Sequence, residues 1–260
     1  MHASERKSLI IEAVSRTGFI SYRDLEAQLD ASPATIRRDL TRLEEDGQIE
    51  RVHGGAKLPG NDRQAGFGQG LTGTPFEKSM SQNLAAKRDI GEAAAELCQP
   101  NEGIIIDGGT TTFQMCPHLV GLKLQVLTNS LHIVNALLPH ADTGILLPSG
   151  AVFREQNIIL APGGEESMPQ FHASKLFMGA ATVSSRGLMQ HDAVLVSSQR
   201  RLIEHADQVI VLVDSSKFSS SSGAIVCPLD QIDIVVTDKD LPPDAEAMLK
   251  EHDIRTIIAP

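Results

Sequence analysis

The hydrophobic positions of residues 1–47 follow helical spacing and are interrupted by short polar turns. The longest amphipathic stretch begins after Ser32-Pro33, which are typical of a helix cap and a first helical position, and it ends at Gly47. Its apolar residues are Ile36, Leu40 and Leu43. Two shorter amphipathic stretches precede it, at about 4–16 and 22–29. Because a short turn joins the last two stretches, the pattern predicts a helix-turn-helix.

A short β-ribbon is predicted directly after the third helix. Ile49 and Val52 are separated by polar residues, and Gly54-Gly55 is a typical turn signal. A ribbon in this position is the wing of a winged helix. Residues 1–58 are therefore predicted to form a winged helix-turn-helix domain.

Hydroxyl and guanidinium groups of the third helix lie away from its apolar stripe. Forked guanidinium donors match guanine edges and phosphates in a DNA major groove, and a small hydroxyl fits beside them. A solvated charged surface is the alternative for the arginines taken alone, but the cap, the proline, the apolar stripe and the ribbon together favour DNA. The candidate DNA-binding residues are Ser32, Thr35, Arg37, Arg38, Arg42, Arg51 and His53.

Charge is distributed unevenly along the chain. The formal net charge is −10, yet residues 1–58 hold 9 lysine and arginine and 10 aspartate and glutamate residues. A nearly neutral head with clustered arginines on an acidic body is typical of a nucleic-acid module attached to a larger domain. With no Trp and 1 Tyr, the chain lacks an aromatic platform for unpaired bases, which favours duplex DNA over RNA loops.

The remainder of the chain differs from this head in composition and pattern. Residues 59–75 are rich in Gly, Asn, Asp and Gln and are predicted to be a flexible linker. In residues 76–260, a helix at about 84–98 is followed by short apolar runs that alternate with helical stretches. This alternation predicts an α/β domain with a mostly parallel sheet that is covered on both faces. The clearest apolar runs are 103–107, 126–127, 145–147, 209–213, 232–236 and 254–258.

Polar segments follow several of these runs, at the edge where parallel sheets bind ligands. The glycine-threonine loop 108–112 offers backbone amides and hydroxyls to a phosphate, although an ordinary capped turn uses the same residues. Asn129 follows the next run. After the strongest run, Asp214 and Lys217 combine a carboxylate for sugar hydroxyls with an ammonium for a phosphate. An Asx turn beside an exposed lysine is the alternative for this pair.

Several motifs occur together in a fixed order along the chain. They are Thr-Ile-Arg-Arg-Asp-Leu at 35–40, Arg-Val-His-Gly-Gly-Ala at 51–56, Asp-Gly-Gly-Thr-Thr at 107–111, Thr-Asn-Ser at 128–130 and Asp-Ser-Ser-Lys at 214–217. In these residues and their spacing, the chain resembles the DeoR family of bacterial sugar-metabolism regulators. Residues 213–217 and 230–233 are similar to the ascorbate-utilisation repressor branch of that family.

The resemblance implies a fold and a binding site for the second domain. The implied fold is an α/β sensor domain similar to ribose-5-phosphate isomerase and to the coenzyme A transferases. The effector-binding residues that the resemblance implies are Asp107, Gly109, Thr110, Thr111, Asn129, Asp214 and Lys217. Segments 148–150 and 187–192 differ from many family members, which leaves the identity of the sugar open.

These features predict a DNA-binding transcriptional repressor of a carbohydrate catabolic operon. We expect a phosphorylated sugar or sugar-acid effector to tune it, and a homodimer or homotetramer to bind a double-stranded operator. A sugar-phosphate isomerase-like enzyme is the alternative, but no carboxylate can be assigned as its base, so we expect no enzyme. No cofactor, metal site or membrane span is expected. The polar N-terminus and the three widely separated cysteines predict a cytoplasmic protein with reduced thiols.

Overall fold

The chain divides into two compact units, Met1–Leu71 and Thr72–Pro260, which are described separately below. The computed structural model describes residues 6–7, 9–11, 19–21, 25, 29, 31–52, 55–57, 76–154, 156–160, 168–191, 193–219 and 223–260. The predicted linker at 59–75 lies outside the described residues.

The first unit is built around helix α1 (Pro33–Glu45), and the predicted cap is present. The hydroxyl of Ser32 accepts a hydrogen bond from the backbone amide of Thr35 at 3.3 Å, which satisfies one of the free amides of the first turn. The apolar stripe of α1 is buried in a core with residues of the segments that precede and follow it. Members of this core are Ile10, Leu25, Leu29, Ile36, Leu40, Leu43, Ile49 and Ala56.

The predicted ribbon after α1 is part of a three-stranded antiparallel sheet. Its strands are β1 (Phe19–Ser21), β2 (Glu50–Val52) and β3 (Gly55–Lys57), in the order β1-β3-β2. Strand β1 was not predicted, because three residues are too short for a period-two pattern to be recognised. Residues 6–7, 9–11 and 25 are helical, within the two predicted N-terminal helices.

The second unit contains a seven-stranded sheet in which every neighbouring pair is parallel. The strand order is β15-β14-β12-β9-β4-β5-β6. The strands are β4 (Gly103–Ile106), β5 (Gln125–Thr128), β6 (Gly144–Leu146), β9 (Ala173–Met178), β12 (Ala206–Leu212), β14 (Ile234–Thr237) and β15 (Arg255–Ile258). The predicted parallel sheet is confirmed.

Both faces of this sheet are buried, as predicted. Ile104 and Ile106 of β4 belong to one core and Ile105 to the other, because successive side chains of a strand point to opposite faces. The first core also contains residues of α3 (Leu84–Ala95) and α4 (Leu131–Leu137). The second contains residues of α5 (Ala193–Glu204) and α6 (Pro243–Glu251).

Several elements of the second unit differ from the prediction or are additional to it. The central strand β9 was missed because its second and third residues are polar. They are Ser174 and Lys175, and the ammonium of Lys175 forms an ion pair with Glu102. The residues that follow the glycine-threonine loop form a 3₁₀ helix, Thr112–His118. The further elements are α2 (Phe76–Met80), β7 (Ala151–Phe153), β8 (Ile158–Leu160), β10 (Thr182–Ser184), β11 (Gly187–Gln190), β13 (Ala224–Cys227) and the 3₁₀ helices Ser215–Phe218 and Leu229–Gln231.

Helix α3 and the 3₁₀ helix Thr112–His118 approach each other closely at Gly91. A β-carbon added at Gly91 would lie 2.5 Å from Cβ and 2.6 Å from the backbone carbonyl carbon of Gln114. Both distances are far below van der Waals contact, and one involves backbone that cannot rotate away. The glycine is therefore required for this packing.

We predict that Gly91→Ala destabilises the second unit by about 1–3 kcal/mol, because overpacking forces the two helices apart. Urea unfolding followed by circular dichroism measures this change. Gly144→Ala is a matched control, since a β-carbon there would meet its nearest neighbour at an ordinary 3.7 Å. Equal losses of stability in the two variants would contradict the close approach at Gly91.

Candidate functional site

The exposed side of α1 carries part of the predicted DNA-binding set. The side chains of Arg38 and Arg42 are exposed, and Thr35 is half-buried. The hydroxyls of Ser32 and Thr35 lie 2.9 Å apart at the start of the helix. The side chains of Arg37 and Arg51, and the whole of His53, lie outside the described residues. All seven DNA-binding assignments remain predictions.

A buried ion pair holds α1 to the segment that precedes it. Asp39 is 2 % exposed, and its carboxylate accepts a hydrogen bond from Nε of Arg6 at 2.7 Å. This pair fixes the side of α1 that is turned toward the core, so the exposed arginines are held on the opposite side. Buried ion pairs of this kind are costly to break, because one charge is then left without its partner.

The second unit contains a cavity of about 350 Å³ at the carboxyl ends of the neighbouring strands β5, β4, β9 and β12. Six of the seven predicted effector-binding residues line it. They are Asp107, Gly109, Thr110, Thr111, Asn129 and Lys217. The topology therefore brings together segments that are more than a hundred residues apart in the chain.

The Asp107 carboxylate is the centre of a buried hydrogen-bond network at this cavity. One of its oxygens accepts from Nδ2 of Asn129 at 3.0 Å and the other from Nε2 of Gln199 at 2.6 Å. Burial raises the pKa of the Asp107 carboxyl above its usual value, and the hydrogen bonds from Gln199 and Asn129 partly oppose that rise. The network orients the two amides around one end of the cavity.

The glycine-threonine loop is held close to this network. The backbone amide of Gly108 donates to Oδ1 of Asn129 at 2.8 Å, and a β-carbon at Gly108 would lie 2.5 Å from Cγ2 of Ile158. The hydroxyl of Thr112 donates to the carbonyl oxygens of Asp107 at 2.8 Å and of Gly109 at 3.0 Å. The loop is thus a fixed part of the cavity wall.

Two lysines line the cavity, and one of them was not predicted. Lys217 is half-buried, whereas Lys87 on α3 is 4 % exposed and its ammonium donates to the backbone carbonyl of Ser79 at 2.6 Å. Burial lowers the pKa of Lys87, Asp214 raises it and Lys217 lowers it further. A signal for Lys87 was present, because it shares the buried helical stripe with Ile90.

Asp214 does not line the cavity. Its carboxylate caps the 3₁₀ helix Ser215–Phe218 by accepting from the backbone amide of Ser216 at 3.1 Å, and it accepts from Nδ2 of Asn83 at 3.0 Å. This is the Asx-turn alternative considered for Asp214, whereas Lys217 beside it does reach the cavity. Asp214 therefore helps to position Asn83 and Ser216.

Amide and aromatic side chains that the sequence did not single out complete the cavity. Gln190 and Gln199 both donate to the carbonyl of Gly179, at 3.4 and 3.3 Å. Phe76 of α2 lines the cavity and stacks on His132 with ring centroids 3.8 Å apart. Amides bind hydroxyl groups and lysines bind anions, so the cavity has the chemistry for a polyhydroxylated anion.

Two family models match the chain, one in each unit. Residues 6–61 match the DeoR-like helix-turn-helix domain, and residues 82–239 match the DeoR C-terminal sensor domain. The HTH-type transcriptional regulators UlaR of Shigella dysenteriae serotype 1 and of Escherichia coli K12 are each 27% identical over 254 residues, which is 98% of this chain and 98% of theirs.

The solved structures that resemble this chain are less similar to it in sequence than these regulators are. Ribose 5-phosphate isomerase A from Methanocaldococcus jannaschii is 14% identical, with a TM-score of 0.39 over 53% of this chain and 55% of that chain. A probable sor operon regulator from Shigella flexneri is 8% identical, with a TM-score of 0.39 over 68% of this chain and 86% of that chain. This chain thus spans about half of the isomerase.

The described parts of the chain contain neither a metal-binding cluster nor a membrane-spanning helix. No group of three or more histidine, cysteine or acidic side chains there is arranged to hold a metal ion. No helix there combines the length and the apolar character that crossing a bilayer requires. The cysteines Cys98, Cys116 and Cys227 are all buried and free.

We predict that Asp107→Asn folds and gains stability relative to the wild type as pH rises. The folded protein binds the Asp107 proton more tightly than the unfolded chain does, so ionisation at higher pH costs folding free energy that asparagine does not incur. Between the two pKa values, the difference changes by about 1.4 kcal/mol per pH unit. Urea unfolding of both proteins from acidic to neutral pH measures it.

Asp142→Asn is the control for this prediction, because Asp142 is an exposed carboxylate outside the cavity lining. Other acidic groups, including Glu102, whose pKa is shifted downward, titrate in all three proteins and cancel in the comparison. A pH dependence shared by the two asparagine variants would contradict the assignment to Asp107.

Proposed function

The chain belongs to the DeoR family, and from that premise we propose that it is a DNA-binding repressor of a carbohydrate catabolic operon. In this proposal residues 1–58 bind the operator, residues 59–75 are a linker and residues 76–260 bind a phosphorylated sugar or sugar-acid effector. A homodimer or homotetramer acts in the cytoplasm on a double-stranded operator, because symmetric operators are bound by symmetric pairs of heads.

The exposed arginines of a capped and buried helix carry the DNA-binding part of the proposal. Arg38 and Arg42 are exposed on α1, while its opposite side is fixed by Ile36, Leu40 and the Asp39 ion pair. A rigidly held helix with outward guanidinium groups can present forked donors to guanine edges or phosphates. An exposed arginine on a mobile segment would not hold its donors in a fixed geometry for a base edge.

The charged residues that line the cavity support the proposed effector. Lys87 and Lys217 are both among its lining residues, and Asp107 is the carboxylate found among them. Two ammonium groups face one carboxylate among the described lining residues, so the balance of formal charge favours an anionic ligand. The amides of Asn129, Gln190 and Gln199 supply partners for hydroxyl groups, as a phosphorylated sugar requires.

In this proposal the protein has two arrangements, one that binds DNA and one that does not. An effector that binds the second arrangement better lowers the affinity for DNA. The coupling free energy is typically about 1–3 kcal/mol, and it acts equally in both directions. Operator DNA should therefore change the affinity for the effector by the same factor. The finite size of this factor at saturating effector separates allosteric release from simple competition, in which the apparent affinity for DNA keeps falling as the anion concentration rises.

We propose no catalytic activity for the cavity. An isomerase needs a base that is poised to remove a proton next to a carbonyl, and the carboxylate of Asp107 is occupied by two amide donors. The buried thiols are not nucleophiles, since burial raises the pKa of Cys98 to about 12 and that of Cys227 to about 11. Turnover of ribose 5-phosphate by the purified protein would contradict this part.

Fluorescence anisotropy on DNA from upstream of neighbouring carbohydrate catabolic genes tests the function as a whole. We expect specific binding at physiological salt, and a change in affinity when one member of a panel of phosphorylated sugars and sugar acids is added. Equal affinity for this DNA and for a scrambled duplex would contradict the repressor. Specific binding that no panel member changes would contradict the effector class.

We predict that Arg38→Ala weakens operator binding by about 1–3 kcal/mol if Arg38 contacts a base, with relaxed specificity at one position. If it contacts a phosphate, binding to all sequences weakens together and the salt dependence becomes shallower. Glu45→Ala is the matched control, because Glu45 is an exposed acidic residue on the same helix. Unchanged affinity in Arg38→Ala would remove this residue from the interface.

A further inference from the structure

Gln199 of α5 is a buried amide at the cavity, and only half of this amide has partners. The residue is 3 % exposed and lines the cavity. Its Nε2 donates to the Asp107 carboxylate at 2.6 Å and to the backbone carbonyl of Gly179 at 3.3 Å. Its Oε1 is buried and has no hydrogen-bond donor among the described residues. The fold therefore uses both protons of this amide and leaves its oxygen without a partner.

The contacts of Nε2 determine which way the amide of Gln199 faces. The Gly179 carbonyl can only accept, and it also accepts from Nε2 of Gln190 at 3.4 Å. Turning the amide of Gln199 over would bring Oε1 against this carbonyl and against the Asp107 carboxylate, so that oxygen would face oxygen. The amide oxygen of Gln199 is therefore kept away from both of these groups.

An acceptor without a partner is costly to the folded protein. Burial removes Oε1 from water, and no donor of the described residues replaces the hydrogen bonds that it loses. The bonds to Asp107 and Gly179 need donors only, so a side chain with donors alone, such as lysine, would form them without this cost. Packing alone therefore gives no reason for an amide oxygen at this position.

Oxygen acceptors surround this end of the cavity. The Asp107 carboxylate and the Gly179 carbonyl belong to residues of the cavity lining, as does Oε1 of Gln199. A carboxylate placed there would bring negative oxygens against these acceptors, whereas a hydroxyl group can donate its proton to one of them. The chemistry of this end therefore favours a carbon that bears a hydroxyl group over an acid group.

We propose that Gln199 determines specificity at this end of the cavity, because its Oε1 accepts a hydrogen bond from a hydroxyl group of the effector. Oε1 is covered by its neighbours, so the proposal includes a small rotation of this amide toward the ligand. The inference rests on the proposed function, in which the cavity binds a phosphorylated carbohydrate. It narrows that class to effectors that place a hydroxyl group, and not a carboxylate, next to Gln199.

Isothermal titration calorimetry on the full-length protein tests the proposal with two matched probes, sorbitol 6-phosphate and 6-phosphogluconate. They share a phosphate and a six-carbon chain, and they differ at the far end, which is a hydroxymethyl group in the first and a carboxylate in the second. Methyl phosphate, which has no hydroxyl group on carbon, measures binding of the anion alone.

Two variants of Gln199 separate its acceptor from its donors. Gln199→Met removes both, whereas Gln199→Lys removes the acceptor and keeps donors for Asp107. Gln231→Met is the control, because Gln231 is an exposed glutamine outside the cavity lining. Each result is expressed as a ratio of two affinities on the same protein, so that a general loss of stability or a change in overall charge affects both members of the ratio.

We expect the wild-type protein to bind sorbitol 6-phosphate about tenfold more tightly than 6-phosphogluconate. Gln199→Met should lower the affinity for sorbitol 6-phosphate, relative to that for methyl phosphate, by about tenfold, as for the loss of one buried hydrogen bond. Gln199→Lys should reverse the preference within the matched pair, because an ammonium attracts the carboxylate. Gln231→Met should keep both ratios of the wild type.

A wild-type preference for 6-phosphogluconate would overturn the inference and leave the proposed function intact. Wild-type ratios in either Gln199 variant would also overturn it, because Oε1 would then be satisfied within the protein, as by an enclosed water, and not by the ligand. Failure of the wild-type protein to bind any of the three probes would contradict the proposed effector class itself, and the inference with it.

Discussion

The parallel alignment of four neighbouring strands is the constraint on which the second unit depends. Strands β5, β4, β9 and β12 run in the same direction and end at one edge of the sheet. The residues that follow them, Asn129, Asp107, Gly179 and Val213, therefore meet at one cavity. Helices cover both faces of the sheet, as is typical of strands that run parallel. The site is thus a consequence of how the core is packed.

The buried carboxylate of Asp107 connects the core to this edge. It costs desolvation free energy, which the amide donors of Asn129 and Gln199 partly offset. The carboxylate holds the side chains of Asn129 and Gln199 in fixed positions. Gly108 has no side chain, so Asn129 and Ile158 can lie close to its backbone. A carboxylate used in this way is an orienting group, which agrees with the absence of a catalytic role in the proposed function.

Local sequence patterns predicted much of this fold and part of the site. The cap at Ser32 and the loop 108–112 were found because their signals lie within a few neighbouring residues. Gln199 was missed because its partner Asp107 is 92 positions away. Strand β9 was missed because its polar residues are satisfied by Glu102 across the sheet, which no local pattern reveals. Asp214 was assigned to the ligand, whereas its contacts in the structure are with Asn83 and Ser216.

The hydrogen bond from Lys87 to the Ser79 carbonyl connects a charged residue of the cavity lining to helix α2. The described part of the second unit begins with α2, which follows the predicted linker in the chain, and Phe76 of α2 also packs on His132. An anion that attracts the Lys87 ammonium competes with the Ser79 carbonyl for its protons. In the proposed function, a ligand that is bound better in one arrangement of α2 would favour that arrangement. Helix α2 is thus a described element that lines the cavity and also follows the predicted linker in the chain.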